Sequence, residues 1–99
     1  MRLEPCDSTH LTVTASSVVS DRPCIVQAVI LTPAAAASEV ILYDALTSVA
    51  TKIKVDVKAA ASTSSVVVPI SGSGIVFSTG CTAVVTGTGA VAQVVFAKI

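Results

Sequence analysis

Residues 69–99 read PISGSGIVFSTGCTAVVTGTGAVAQVVFAKI, and their reading decides the fold class. Three apolar, β-branched runs, residues 75–78, 81–86 and 91–99, are separated by breaks that carry Gly80, Gly87 and Gly89. Branching at Cβ suits valine and isoleucine to a pleated strand, and glycine supplies the positive φ that a tight reversal needs. The spacing predicts a three-stranded antiparallel meander, with Gly87-Thr88-Gly89 as a hairpin turn.

The same alternation of short runs and breaks extends upstream. Residues 10–19 alternate loosely and are expected as a first strand, turned by Ser20-Asp21-Arg22-Pro23. Residues 24–32 are a nearly continuous apolar run, which predicts a strand buried on both faces and stopped by Pro33. The four alanines 34–37 favour a helix but are too few to hold one alone, so a loop or single turn is expected there. Residues 40–45 read as a strand with Val40 and Leu42 on one face and Ile41 and Tyr43 on the other. Residues 49–59 alternate most cleanly, with Ile53, Val55 and Val57 set against Lys52, Lys54, Asp56 and Lys58; one face is expected to be buried and the other wet. Residues 65–70 are a further strand, joined to the last three by Ser71-Gly72-Ser73-Gly74. The fold expected is all-β, a small antiparallel β-sandwich or jelly roll of about eight strands. Residues 1–8, polar and containing Pro5, are expected as an N-terminal arm, and residues 9–99 as a single β-sandwich domain.

Composition narrows the function. The 99 residues are 53% hydrophobic and only 12% charged, with one tyrosine, two phenylalanines and no tryptophan, against a usual charged fraction of ~25%. A chain this short buries only about two thirds of the surface its unfolded form exposes, so much apolar material is expected to be covered by other chains. Six basic residues balance six acidic ones. A neutral chain lacks the basic footprint of a nucleic-acid binder and is expected to be poorly soluble as a free monomer. Glu4, Pro5 and Asp7 follow Met1-Arg2-Leu3 at once, so no secretory signal is expected. The most apolar window, residues 24–37, is interrupted by Gln27 and Pro33 and falls short of the ~18 residues of a membrane helix.

No motif points to catalysis, a metal or a cofactor. Cys6, Cys24 and Cys81 are widely spaced with no CxxC pair. Neither a disulfide framework nor a zinc site is indicated; one disulfide stays open, and Cys24 and Cys81 read better as small buried hydrophobes. The single histidine, His10, has only Asp7 near it at ligand spacing and reads as a strand-start residue. Gly72-Ser73-Gly74 lacks the lysine and following helix of a phosphate loop. The acids fall mostly at turns or strand ends, where they cap backbone donors. Two features remain as a candidate interface. Lys52, Lys54 and Lys58 either dock on an acidic partner or form a solvated face that discourages edge-to-edge aggregation, and the second reading fits better. Both faces of residues 81–99 are apolar, so one face is expected to serve the core and the other a neighbour, with Val84, Val91, Val94 and Phe96 as contact residues.

The wording VILYDALTSVATKIKVDV (residues 40–57), followed by VVVPISGSGIVFSTGCTAVVTGTGAVAQVVF (residues 66–96), resembles small β-sandwich virion proteins of tailed bacteriophages. In these a YD…T…G…K strand pair precedes P…GI.F.TG…VV.TGT.A…V.V.Y. The resemblance spans roughly residues 25–98, and the chain departs from it in its alanine stretch 34–37 and its cysteines. It implies a non-enzymatic virion protein without catalytic residues. The first expectation is a capsid decoration or cement protein, a homotrimer packed on the major capsid protein, assembled into the virion in the host cytoplasm. The second is a neck, tail or fibre-attachment component. The third, a receptor- or carbohydrate-binding module, requires exposed aromatics, which Tyr43, Phe77 and Phe96 are not expected to supply.

Overall fold

The structure, a computed structural model, describes residues 8–62, 64–70 and 74–98. These form nine strands: β1 (Ser8–Val13), β2 (Ser16–Ser20), β3 (Cys24–Thr32), β4 (Ser38–Tyr43), β5 (Ile53–Ala59), β6 (Val66–Pro69), β7 (Ile75–Phe77), β8 (Cys81–Thr86) and β9 (Val91–Lys98). Helical structure among them is limited to one 3-10 turn, Ala50–Lys52. The strands make two antiparallel sheets. One has the order β1-β9-β3-β6, with β7 also on β3, and the other has the order β2-β8-β4-β5.

The pairing is nested. β1 pairs with β9, β2 with β8, β3 with β6 and β7, and β4 with β5. This is one long hairpin folded on itself; rolling it up adds the lateral pairs β3–β9 and β4–β8. The result is a jelly roll, an arrangement in which hairpin halves alternate between two facing sheets. Eight strands suffice once β6 and β7 are taken as one interrupted strand. Both run along the same edge of β3, β6 opposite residues 28–31 and β7 opposite residues 24–26. The interruption is matched on β3, where the register with β9 shifts between Val26 and Ala28. The Ile70 amide donates to the Gln27 carbonyl at 3.0 Å and holds the two irregularities together.

The sequence reading requires four corrections. The last three runs are strands, but not a meander: β7 and β9 lie in the five-stranded sheet and β8 in the other. The turn after β8 is therefore a crossing between sheets rather than a hairpin. Gly87 and Gly89 have φ of 109° and 76°, and the Ala90 amide donates to the Gly87 carbonyl at 3.1 Å. A Cβ at Gly87 would lie 2.7 Å from the Ala37 carbonyl oxygen, so close packing against the 33–38 loop requires glycine here as well as the turn does. The first expected strand, residues 10–19, is two strands that enter different sheets on either side of residues 14–15. The strand expected from residue 49 begins at Ile53, because the Asp44 amide donates to the Lys52 carbonyl at 2.8 Å and closes the preceding loop. Finally, β3 is fully buried on one face only; Ile25 and Ile30 on its other face are half-buried. Of the expected arm, residues 1–7 lie outside the described residues, and Ser8 already belongs to β1.

The core is the layer between the sheets. Val13, Cys24, Val26, Val29, Leu31, Phe77, Ala92, Val94 and Phe96 come from one sheet; Val19, Val40, Leu42, Val57, Ala59, Cys81, Ala83 and Val85 come from the other. Period-2 alternation brings them inward from every long strand. A fully buried valine or leucine contributes about 1.5–3 kcal/mol, so this layer is the main source of stability.

Candidate interface

The outward rows of the two sheets differ in chemistry. On the five-stranded sheet β9 presents Val91, Gln93, Val95 and Ala97, and the register sets Val95 beside Ala28, Gln93 beside Ile30 and Ala97 beside Ile25. One strand further, Pro69 lies beside Ala28, Val67 beside Ile30 and Val76 beside Ile25. β1 closes the other side with His10 next to Val95 and Thr12 next to Gln93. Apart from His10 at this margin, the described side chains of the face carry no ionisable group. Val67 and Val76 are 57% and 50% exposed. With strands ~4.8 Å apart rising ~3.3 Å per residue, the face covers on the order of 400 Å², within the range of the largest apolar patch on an ordinary monomer.

The four-stranded sheet presents a charged edge, although exposed Val18 and Ile53 also lie on its strands. Glu39, Lys54, Asp56 and Lys58 lie on the outer side of β4 and β5, where Glu39 pairs with Lys58 and Ile41 with Asp56. The Lys58 ammonium is 4.0 Å from the Glu39 carboxylate. A hydrogen bond shared with Asp56 is the main reason that the Glu39 pKa is raised, with Lys58 acting against it. An exposed pair of this kind adds little stability. Beside it Ala37, Ser38, Glu39, Lys58, Ala59 and Thr86 line a depression of about 250 Å³.

The residues expected at an interface thus separate. Val91 is on the apolar outer face. Val84 is half-buried on the outer side of the opposite sheet, and Lys54 and Lys58 share that side, with exposed Lys52 in the adjoining 3-10 turn. Val94 and Phe96 are not contact residues: they are 0% and 4% exposed and face the other sheet within the same chain. Both rows of β9 are apolar, so alternation alone leaves its phase open. Each row also holds one polar residue, Gln93 with Val91, Val95 and Ala97, and Lys98 with Ala92, Val94 and Phe96, so polarity does not settle the phase either. Ile25, Ala28, Ile30, Val67, Pro69, Val76 and Val95 complete the face, which the residue pattern did not show.

The buried carboxylate is structural. Asp44, at the end of β4, accepts hydrogen bonds from the Thr79 amide at 2.9 Å and the Ser78 hydroxyl at 3.2 Å. Burial alone would raise its pKa, but these donors, with the Ser78 and Gly80 amides, outweigh that and hold it below the usual value. A depressed carboxylate pKa stabilises the fold above the unfolded value of ~3.9, and that contribution is lost as pH falls through the folded value. Asp44→Ala is expected to cost about 1.5–3 kcal/mol at pH 7, with the gap to the parent shrinking below pH 4. Urea unfolding of both chains across pH 3–7 measures it.

Cys24 and Cys81 are free, buried thiols. Burial raises both; Cys81, close to Cys24 and Asp44, is pushed up to about 12. A thiol so far from ionising is no nucleophile at neutral pH. Among the described residues no three His, Cys, Asp or Glu side chains come together as a metal site, and no helix is long and apolar enough to cross a membrane. Comparison of the chain with protein-family models, with curated proteins and with solved structures finds no match.

Proposed function

We propose that this chain is a non-enzymatic packing protein of a tailed-phage virion, a capsid decoration protein that seats the outer face of its five-stranded sheet on the major capsid protein. The observation that carries the reading is the contrast between that uncharged, apolar face and the charged edge of the opposite sheet. Sheet faces free of charge pack on other protein surfaces without desolvating ions. A jelly roll is compatible with many functions, so the virion assignment draws on the wording of residues 40–57 and 66–96. All three aromatics, Tyr43, Phe77 and Phe96, are buried, which leaves no ring on which a sugar could stack and disfavours the carbohydrate-binding alternative.

The test is co-sedimentation with phage heads that lack the protein, together with its copy number in purified particles. Val67→Asp and Val76→Asp change exposed side chains and are expected to leave the fold intact while abolishing retention on heads. Retention equal to the parent overturns the docking face. A copy number in the hundreds fits decoration, whereas a dozen or fewer moves the role to the neck or tail.

A further inference from the structure

Two chain crossings meet at one end of the sandwich. Residues 21–23 carry the chain from β2 in the four-stranded sheet to β3 in the other, and residues 78–80 carry it back from β7 to β8. The strand ends on either side are paired. Ser20 is opposite Cys81 in one sheet, and Cys24 is opposite Phe77 in the other. Each cysteine thus opens the strand that follows a crossing, and the two lie diagonally across the same corner. The crossings touch, since a Cβ at Gly80 would lie 2.8 Å from the Ser20 carbonyl oxygen.

Ser20 stands between the two thiols. It folds the first crossing tightly, its hydroxyl lying 2.9 Å from the Arg22 carbonyl and accepting from the Arg22 amide at 3.3 Å. It is buried, its hydroxyl is in hydrogen-bonding contact with the Cys24 thiol, and its partner in the ladder is Cys81. Residues directly opposite in a ladder share a face and hold their Cβ atoms ~4.5–5.5 Å apart. Cys24 and Cys81 therefore reach the same buried hydroxyl from facing sheets, and the charge of the Asp44 carboxylate reaches both.

We infer that Cys24 and Cys81 are a dithiol pair that a small disulfide oxidant, such as glutathione disulfide, closes into an inter-sheet disulfide tying β3 to β8. Two exchanges make the bond. The thiolate of one cysteine attacks the oxidant and releases one glutathione thiolate, leaving a mixed disulfide; the thiolate of the other cysteine then displaces the second glutathione. The two cysteines give up two electrons and two protons, and the oxidant takes both and ends as two glutathione thiols. In the closed fold neither sulfur is a nucleophile at neutral pH. Exchange therefore runs in the folding or locally opened chain, and the fold brings the sulfurs together. The inference is independent of the virion reading, because it concerns the purified chain alone.

Refolding from urea in a glutathione redox buffer tests it, with Cys6→Ser as the starting chain so that only the two core cysteines remain. The refolded chain is expected to show no free thiol in denaturant, to have lost two hydrogens in intact mass, and to yield a cross-linked peptide joining Cys24 to Cys81. The link closes a loop of more than half the chain, so the melting temperature is expected to rise by about 10 °C and to fall back with dithiothreitol. The chain with Cys6 retained is expected to give the same cross-link on peptide mapping. Two free thiols after refolding, glutathione adducts without the cross-link, disulfide-linked dimers in its place, or a cross-linked chain that melts at or below its reduced form overturns the inference.

Discussion

A chain carrying Val94→Asp is expected not to fold. Val94 is fully buried on β9, the strand between β1 and β3, where its neighbours in register are Leu11 and Val29. The substitution places a carboxylate in the layer between two sheets, among valines, a leucine and Phe96, with no donor to receive it. Such a group is either ionised without a partner or protonated at the cost of a large pKa shift, and either route costs several kcal/mol. Small domains have a total stability of about 5–15 kcal/mol, and a 99-residue chain sits toward the lower part of that range. Circular dichroism and amide chemical-shift dispersion are expected to report an unfolded chain. The neighbouring Val95→Asp is the control. Val95 points outward beside His10 and Ala28, so this variant is expected to stay folded, with a loss of about 1 kcal/mol or less. A native spectrum from Val94→Asp overturns the assignment of that row of β9 to the core.

Phe77→Ala is expected to cost about 3–5 kcal/mol, the usual range for deleting a buried ring. Phe77 heads the fully buried side chains by volume and ends the three-residue strand β7, opposite Cys24. Three residues hold few backbone bonds, so β7 depends on this ring for its attachment to β3. Its loss leaves a cavity between the sheets and releases the strand that leads into the Asp44-bound turn at Ser78 and Thr79. The urea midpoint is expected to fall by a third or more, and Phe77→Leu to recover over half of the loss because it restores most of the volume. A midpoint within experimental error of the parent would mean that the ring is not a core element.

The two substitutions mark how far residue patterns reach. Phe77 sits in a short run, IVF, between glycine-bearing breaks, and a buried ring there is an expectation that local pattern supports. Val94 and Val95 are adjacent valines in a run apolar on both rows, and nothing local orders them: Gln93 shares a row with Val95, but Lys98 shares one with Val94. The outer face is legible to the same extent. Val91 lies on it, Val94 and Phe96 lie in the core, and the exposure of Val67 and Val76 depends on which edge of β3 their strands join.

Strand content, turn positions and the all-β class follow from the residues by themselves. Alternation with period 2, β-branched runs and glycine at positive φ are local properties that each short segment carries alone. Sheet membership does not follow from them. A glycine turn reverses the chain within one sheet or carries it to the facing sheet with equal ease, so Gly87-Thr88-Gly89 serves a crossing as well as it would a hairpin. That choice was made by tertiary structure. β8 finds its place between β2 and β4, and β9 between β1 and β3, and this nested pairing lets the inward rows meet across a single core. The outer face of the five-stranded sheet exists only as a product of that pairing.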